Sequence, residues 1–246
     1  MRVDILGVDF DNVTFSQAVT QAREIVAAAE RAYIVTPNPE IVWMARAHET
    51  LKTALARASM VLPDGVGIIL GAKILGTPLS ERIPGIDFAS ALLKSLAAEG
   101  GRLFLLGAKP EVVEKASIRL QKDYPGIEIA GICDGYFKDD EKVIDHINET
   151  HPDVVFVCLG SPKQELWMSE NINKLNTGVC IGLGGSLDIF AGTIKRAPKA
   201  FRIMGLEWFY RLITQPSRIK RMIKLPMFLL VVIGRRFIGK PGVGVT

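Results

Sequence analysis

Short apolar runs alternate with amphipathic segments over the first 194 residues of the chain. The runs are rich in β-branched residues, as buried strands are, and they lie at 3–8, 33–35, 60–62, 103–106, 127–132, 154–159 and 179–183. The segments between them have helical periodicity and lie at 15–29, 39–47, 66–75, 86–98, 111–122, 141–149 and 163–175. Helical crossovers join parallel strands. The pattern therefore predicts an α/β fold with a mostly parallel, Rossmann-like sheet and helices on both faces.

The charge balance changes near residues 191–198. The chain has a net charge of +4, but residues 195–246 carry 12 Lys and Arg against a single acid, Glu207. The preceding 194 residues are net acidic. We therefore predict two units, an α/β domain at 1–194 and a helical, basic C-terminal appendage at 195–246, and we expect the appendage to face an anionic partner.

The appendage is also apolar. Its longest uncharged run, LPMFLLVVI at 225–233, has nine residues, whereas a membrane-spanning helix needs about 20. Basic residues interleaved with Trp, Phe and Leu are typical of a segment that lies in the membrane interface on anionic headgroups. The alternative is a helical hairpin packed on the core with its Lys and Arg in solvent. Nucleic acid is a poor candidate partner, because binding it does not call for such an apolar run.

Cysteine use and the first residues both favour a cytoplasmic protein. The three cysteines, Cys133, Cys158 and Cys180, are odd in number and lie in apolar runs, as expected of reduced thiols. Asp4 and Asp9 come too early for the apolar stretch of a signal peptide. We expect a cytoplasmic protein that is peripheral on the inner face of the cell membrane.

Polar motifs follow several predicted strands, and ligands of parallel sheets bind at those carboxyl ends. In the TPNPE motif at 36–40, two prolines stiffen the backbone that presents Thr36 and Asn38. Asn38 is also a good helix N-cap before a proline. In PDGVG at 63–67, Asp64 is either a helix cap or a carboxylate that takes a proton from an attacking hydroxyl.

Further candidate residues lie in the later loops. Arg82 lies in a Pro/Gly loop beside Asp87, where a guanidinium can bind an oxyanion or pair with that acid. Two glycine-rich strand ends, at Gly107 and Gly184, suit close backbone approach to a nucleotide. The motif GSPKQE at 160–165 places three hydrogen-bonding side chains in one helical turn, those of Lys163, Gln164 and Glu165.

Several classes of site are disfavoured by the sequence. The three histidines lack ligand spacing, and no CxxC, HExxH or GxSxG motif occurs, which argues against a zinc site and a serine hydrolase. Asp9-Phe10-Asp11 matches an Asp-x-Asp metal motif, but a pair of turn aspartates is the simpler interpretation. The GK[ST] of a P-loop and the full glycine fingerprint of dinucleotide-binding proteins are also missing.

Taken together, these motifs resemble the WecG/TagA/CpsF family of bacterial glycosyltransferases. The resemblance rests on TPNPE, PDGVG, the loop from Arg82 to Asp87, GSPKQE, the glycine-rich end through Asp188, Arg196-Ala197-Pro198, and Glu207-Trp208 with Arg211, and so covers nearly the whole chain. It implies that 1–194 is a catalytic domain that transfers N-acetylmannosamine from its UDP derivative to undecaprenyl-diphosphate-linked N-acetylglucosamine. That disaccharide is the linkage unit of wall teichoic acid. Some relatives transfer N-acetylmannosaminuronic acid or glucose.

The resemblance also implies inversion at the sugar carbon, without a metal or other cofactor. Asp64 is then the expected general base, and Thr36, Arg82 and Gln164 complete the expected catalytic set. The expected substrate-binding residues are Asn38, Gly107, Lys163, Glu165, Gly184 and Arg196. The resemblance implies that arginines of the appendage close over the leaving diphosphate, which here are Arg211, Arg218 and Arg221. Such closure would couple activity to membrane docking.

Two other classes of function are kept as alternatives. One is a nucleotide-dependent oxidoreductase, and the other is a membrane-associated binding module without activity. Self-association in solution is a further expectation, which rests on analogy alone.

Overall fold

The computed structural model describes residues 1–214 and 223–238. Its main sheet has six parallel strands in the order β4-β3-β8-β7-β5-β6, and a separate antiparallel hairpin pairs β1 with β2. The strands are β1 (Arg2–Ile5), β2 (Val8–Asp11), β3 (Ala32–Val35), β4 (Met60–Val61), β5 (Arg102–Gly107), β6 (Glu128–Cys133), β7 (Val154–Cys158) and β8 (Val179–Gly182). The predicted α/β class with a mostly parallel sheet is confirmed.

Twelve α-helices lie in the described residues. They are α1 (Phe15–Ala27), α2 (Pro39–Ala45), α3 (Glu49–Arg57), α4 (Val66–Leu75), α5 (Gly85–Glu99), α6 (Pro110–Asp123), α7 (Asp140–Thr150), α8 (Lys163–Asn171), α9 (Ser186–Phe190), α10 (Lys199–Ile203), α11 (Glu207–Thr214) and α12 (Lys224–Ile238). A short 3-10 helix, Ile172–Lys174, extends α8.

The sheet separates two apolar layers because successive strand residues point to opposite faces. In β5, for example, Phe104 and Leu106 join one layer while Leu103 and Leu105 join the other. The first layer contains side chains of α2, α3, α4, α7, α8 and α12, and the second contains those of α1, α5, α6 and α9. Both faces of the sheet are covered, as predicted.

The predicted first strand, 3–8, is wrong as a single element. The chain turns back at Leu6 and Gly7, whose φ angles are +54° and +88°, and the Asp4 carboxylate accepts a hydrogen bond from the Gly7 N–H at 2.8 Å. Positive φ at two successive positions is the geometry of a tight hairpin turn. The result is two short strands outside the main sheet. Helix α3 was not predicted, since Leu51 and Leu55 are its only large buried apolar residues.

Helix α12 packs against α2 and α4. Phe228 and Val232 of α12 are fully buried, and they lie against Gly71 of α4, where a Cβ atom would come within 3.1 Å of the Phe228 ring. One turn earlier, a Cβ on Gly67 would lie 2.6 Å from a Leu225 methyl carbon. The two glycines, four residues apart, form a groove on α4 that admits α12 at close range.

Ion pairs hold both ends of α12 to the body. Lys224 lies 3.3 Å from Glu40 of α2, and Arg235 lies 2.7 Å from Asp4 of the hairpin. The described part of the chain holds no helix with both the length and the apolar content to cross a bilayer. Whether residues 195–246 act as a membrane-docking unit stays a prediction.

Candidate active site

A cleft of about 290 Å³ opens at the carboxyl ends of four neighbouring strands, β4, β3, β8 and β7. Its walls come from the loops after those strands, from the first turns of α4 and α5, and from the segments around α11 and α12. The lining includes the predicted residues Thr36, Asn38, Asp64, Arg82, Gln164 and Gly184. All four predicted catalytic residues thus line one cleft, as the strand-end rule for parallel sheets leads one to expect.

Thr36 and Asn38 lie in the loop after β3, and hydrogen bonds hold both side chains in place. The Thr36 hydroxyl donates to the Gly182 carbonyl at 3.2 Å, and a Cβ on Gly85 would lie 2.9 Å from that hydroxyl oxygen. The Asn38 side-chain oxygen accepts from the N–H groups of Glu40 and Ile41 at 2.9 and 3.1 Å. Asn38 is therefore the N-cap of α2 and also lines the cleft, so its amide nitrogen is the group left to donate to a ligand.

Asp64 follows β4 but does not cap α4, because the N-cap position is taken by Gly65, with a φ angle of +88°. Its carboxylate instead accepts from the N–H of Gly85, the first residue of α5, at 3.4 Å. Its own N–H donates to the Pro37 carbonyl at 3.2 Å. These contacts hold a partly exposed carboxylate at the wall of the cleft, where a general base has to be.

Arg82 connects the cleft to the start of the appendage. Its Nη2 donates to the carbonyl of Arg202, in α10, at 3.2 Å. Within the described ranges the Arg82 guanidinium makes no other hydrogen bond, and since the group has five N–H bonds, donors remain for an oxyanion in the cleft.

The Gln164 side chain is buried where α8 begins. Its Oε1 accepts from the Gly184 N–H at 2.9 Å, and its Nε2 donates to Glu165 Oε1 at 2.8 Å. Glu165 is only 1% exposed, and burial raises the pKa of its carboxyl above the ordinary 4.5, although nearby hydrogen bonds lower it in part. The raised pKa means that the folded state disfavours the ionised form of this side chain.

Changing Glu165 to Gln should therefore raise the melting temperature at neutral pH. Below about pH 4.5 the wild-type carboxyl is protonated in both the folded and the unfolded states, so the benefit should vanish there. As the pH rises from that value through the folded-state pKa, the wild type loses stability relative to the variant. Thermal melts of both proteins from below pH 4.5 up to about pH 8 test this, and a variant that is less stable than the wild type at the upper end would contradict it.

Four predicted substrate-binding residues lie away from the cleft lining, namely Gly107, Lys163, Glu165 and Arg196. Gly107 ends β5, where a Cβ atom would come within 2.3 Å of the Cys158 carbonyl oxygen, so its glycine character serves backbone packing. Lys163 donates to the Gly135 carbonyl at 3.1 Å and lies 4.4 Å from the Phe137 ring centre. It therefore holds the loop between β6 and α7. Ligand contacts by these residues stay predictions.

Arg196 links α5 to the appendage. Its guanidinium makes two hydrogen bonds of 2.6 Å to the Asp87 carboxylate, and its Nε lies 3.6 Å from a Glu207 oxygen at the start of α11. Burial alone would lower the pKa of Arg196, but its contacts with the two acids raise it overall. Bidentate Arg–carboxylate pairs are among the stronger polar contacts. Arg196 thus fixes α11 next to the cleft.

Changing Arg196 to Ala should lower the free energy of unfolding by about 1–3 kcal/mol, because Asp87 and Glu207 lose their shared cation. Urea denaturation measures the change. The matched control is Arg23→Ala, which removes an exposed pair with Glu99 at 2.9 Å and should cost less than about 1 kcal/mol. Equal losses of unfolding free energy in the two variants would show that the Arg196 contacts stabilise the fold no more than an exposed ion pair does.

The predicted arginines of the appendage are only partly placed. Arg211 is a residue of α11, but its side chain, like the whole of Arg218 and Arg221, lies outside the described residues.

Three lining residues of the cleft were not predicted from the motifs as cleft residues, namely Glu40, Trp208 and Leu225. Trp208 belongs to the resemblance motifs, whereas only the packing of α12 on α4 brings in Leu225.

The Asp-x-Asp motif lies in β2 and not in a turn. The Asp11 carboxylate accepts from Arg2 Nε at 3.0 Å and from the Val61 N–H at 2.8 Å, so it ties the hairpin to β4. Within residues 1–214 and 223–238, no group of three or more His, Cys, Asp or Glu side chains is arranged to hold a metal ion.

The three cysteines are free thiols, and burial raises the pKa of the Cys158 and Cys180 thiols to about 12.

The comparisons with known proteins agree with the motifs. A family model described as "Glycosyl transferase WecG/TagA/CpsF family" matches residues 3–241. The N-acetylglucosaminyldiphosphoundecaprenol N-acetyl-beta-D-mannosaminyltransferase of Staphylococcus aureus (strain NCTC 8325 / PS 47) is 42% identical over 231 residues, which are 93% of this chain and 91% of the relative. A protein of the same name from Bacillus spizizenii is 42% identical over 202 residues, 82% of this chain and 79% of the relative. With a match of this extent, the chain belongs to the WecG/TagA/CpsF family of glycosyltransferases.

Proposed function

We propose that this glycosyltransferase moves N-acetylmannosamine from UDP-N-acetylmannosamine to undecaprenyl-diphosphate-linked N-acetylglucosamine. The observation that carries the proposal is the convergence of Thr36, Asn38, Asp64, Arg82 and Gln164 on one cleft. The names of the two relatives support the acceptor and the transferred sugar.

The proposed reaction is a single displacement with inversion. Asp64 takes the proton from a hydroxyl of the acceptor sugar as that oxygen forms a bond to the anomeric carbon of the donor. The bond from that carbon to the UDP oxygen breaks on the opposite face, and UDP leaves with the electron pair. A base and a leaving group on opposite faces are what inversion requires.

The leaving diphosphate needs positive charge or hydrogen-bond donors close by. Arg82 lines the cleft and can provide both. In the proposal Arg211, Arg218 and Arg221 add further cations when the appendage closes over the diphosphate. The contact of α11 with the cleft through Glu207 and Trp208 supports this arrangement.

The acceptor is a lipid, and the surface beside the cleft supports a membrane-facing position. Trp208 of α11 and Leu225 of α12 line the cleft, and both helices carry exposed apolar side chains. The exposed fractions are 61% at Ile213, 68% at Leu230 and 84% at Phe237. We propose that the outer faces of α11 and α12 enter the membrane interface, where anionic headgroups attract the basic residues around them.

The decisive experiment is a donor panel with a lipid-diphosphate N-acetylglucosamine acceptor. UDP-N-acetylmannosamine should give the highest kcat/KM, above UDP-N-acetylmannosaminuronic acid and UDP-glucose. A higher value for one of the others would replace the proposed donor. Titration with UDP and with NAD(H) separates the remaining classes, because an oxidoreductase would bind NAD(H) and an inactive binding module would bind neither.

Chelation of metals should leave the transfer rate within about twofold of its starting value. The reason is that Asp11 is already engaged with Arg2 and the Val61 N–H, and that protein cations can neutralise the diphosphate. The rate is measured before and after EDTA treatment. A strong loss that Mg²⁺ or Mn²⁺ restores would instead point to Asp9 and Asp11 as metal ligands.

A further inference from the structure

The two hydrogen bonds of the Gln164 amide fix which of its ends faces which partner. Its oxygen lies against a donor, the Gly184 N–H, and its nitrogen lies against an acceptor, the Glu165 carboxylate. A flipped amide would place N–H against N–H and oxygen against carboxylate. One N–H of Nε2 is then left to donate, because a primary amide has two.

The surroundings of the amide leave little room for another position. A Cβ atom on Gly182, at the end of β8, would lie 3.1 Å from Gln164 Nε2 and 2.8 Å from a Met168 methyl carbon. The terminal torsion of a glutamine is broad and roughly two-fold, so packing alone does not choose between the two amide orientations. The choice between them depends on the hydrogen-bond partners, which are the Gly184 N–H and the acceptor oxygen of Glu165.

Glu165 is costly as a purely structural residue. It is 1% exposed, and within the described residues its second oxygen, Oε2, has no hydrogen bond of good geometry; the nearby Ser161 hydroxyl lowers the pKa of the carboxyl only in part. Burial of a carboxyl oxygen without such a bond is unfavourable, and apolar residues of similar volume are often neutral or stabilising in its place. An acid at this buried position therefore calls for a reason beyond packing.

We infer that Glu165 is a positioning residue, which acts on the proposed transfer by holding the Gln164 amide so that its free N–H points toward the bound sugar. The inference rests on the proposed function for the identity of the reaction. It assigns Glu165 a role behind the cleft wall in place of direct substrate binding. The essential property of Glu165 is then its acceptor oxygen, and neither its volume nor its charge.

Two variants of Glu165 separate these properties. Glu165→Met keeps a similar volume and removes the acceptor, so kcat/KM for the transfer should fall about tenfold or more while the melting temperature is kept. Glu165→Gln retains an acceptor oxygen and should stay within about threefold of the wild type. Glu170→Gln, an exposed position on the same helix, is the matched control and should be unchanged.

A double-mutant cycle then tests whether Glu165 acts through Gln164. In a Gln164→Ala background, Glu165→Met should add less than a twofold loss. The inference is overturned if the two losses multiply, or if Glu165→Met keeps kcat/KM within twofold of the wild type. It is also overturned if Glu165→Met loses activity only because it unfolds while Glu165→Gln falls equally far with its fold intact.

A readout without turnover distinguishes failure of this inference from failure of the proposed function. The side-chain amide resonances of Gln164 in an ¹⁵N NMR spectrum are assigned by their loss in Gln164→Ala. They should move and broaden in Glu165→Met and stay near their wild-type positions in Glu165→Gln and Glu170→Gln. Unchanged resonances in Glu165→Met would refute the positioning role. A wild type that transfers no sugar in the donor panel would refute the proposed function alone.

Discussion

Changing Asp64 to Asn should lower kcat by about 10²–10⁴-fold, the usual contribution of a positioned general base. Asparagine has nearly the same size, and its side-chain oxygen can still accept the Gly85 N–H that Asp64 accepts at 3.4 Å. The substitution therefore removes the ability to take a proton and keeps the contact with Gly85. Single-turnover measurements with saturating donor and acceptor report the chemical step directly.

The choice of Asp64 as the base rests on its place at the end of β4, in the wall of the cleft. Glu40 lies 3.3 Å from Lys224, and Glu207 lies 3.6 Å from Arg196, so both take part in ion pairs that hold the appendage. Changing either acid to Gln should affect stability before it affects the chemical step. A base at the end of β4 also lies beside Asn38 and Arg82, which can orient the sugar and the diphosphate.

Two measurements separate a lost base from a lost binding site in the Asp64→Asn variant. Its affinity for UDP should stay within about threefold of the wild type, and its melting temperature should be close to that of the wild type. The matched control is Asp9→Asn, an exposed position on β2, which should keep full activity. An Asp64→Asn enzyme that retains more than about a tenth of the wild-type kcat would move the base assignment to another group.

The sequence predicts most of the sheet because buried parallel strands have a strong apolar signature. The continuous apolar run of β5 and the glycine at its end are visible without a structure. The hairpin was missed because a single apolar run contains its turn, and only the positive φ angles of Leu6 and Gly7 reveal the reversal. Helix α3 was missed because a helix with two large apolar residues has a weak pattern.

The sequence predicts which residues follow each strand, but it does not predict the strand order that decides which of them line the cleft. Every strand end was a candidate, but the cleft uses the ends of β4, β3, β8 and β7, whereas Gly107 ends β5 on the far side of β7. Strand order is set by long-range pairing, which one sequence does not display. For the same reason Leu225 was not foreseen, since it reaches the cleft only because Gly67 lets α12 approach α4 closely.

The predicted appendage is best tested by surface substitutions, because α12 is also part of the core. Deleting residues 195–246 would uncover the groove that Phe228 and Val232 fill, and loss of the fold would then obscure any loss of membrane binding. The inner face of helix α12 packs on the core, and its outer face is the one proposed to contact the membrane. Phe228 and Val232 point inward, whereas Leu230 and Phe237, seven residues apart on the outer face, are 68% and 84% exposed.

Changing both Leu230 and Phe237 to Gln should lower partitioning onto phosphatidylglycerol vesicles by about tenfold or more, because burial of each such side chain contributes roughly 1.5–3 kcal/mol when complete. The fold should be unaffected, since neither side chain is buried in the body. The matched control is Ile118→Gln on α6, which removes an apolar side chain that is 67% exposed on another helix and should leave binding unchanged. Vesicle co-sedimentation measures all three proteins.

Varying the salt concentration and the lipid charge separates the electrostatic from the apolar contribution to vesicle binding. Binding of the wild type should weaken with rising salt and on phosphatidylcholine vesicles, because headgroup attraction to Lys and Arg is screened within about 10 Å at 0.1 M salt. The double variant should lose the remaining, salt-resistant part. If it binds as tightly as the wild type and still transfers sugar to the lipid acceptor at the wild-type rate, then the outer face of α12 does not reach the membrane, and the acceptor must enter the cleft from another side.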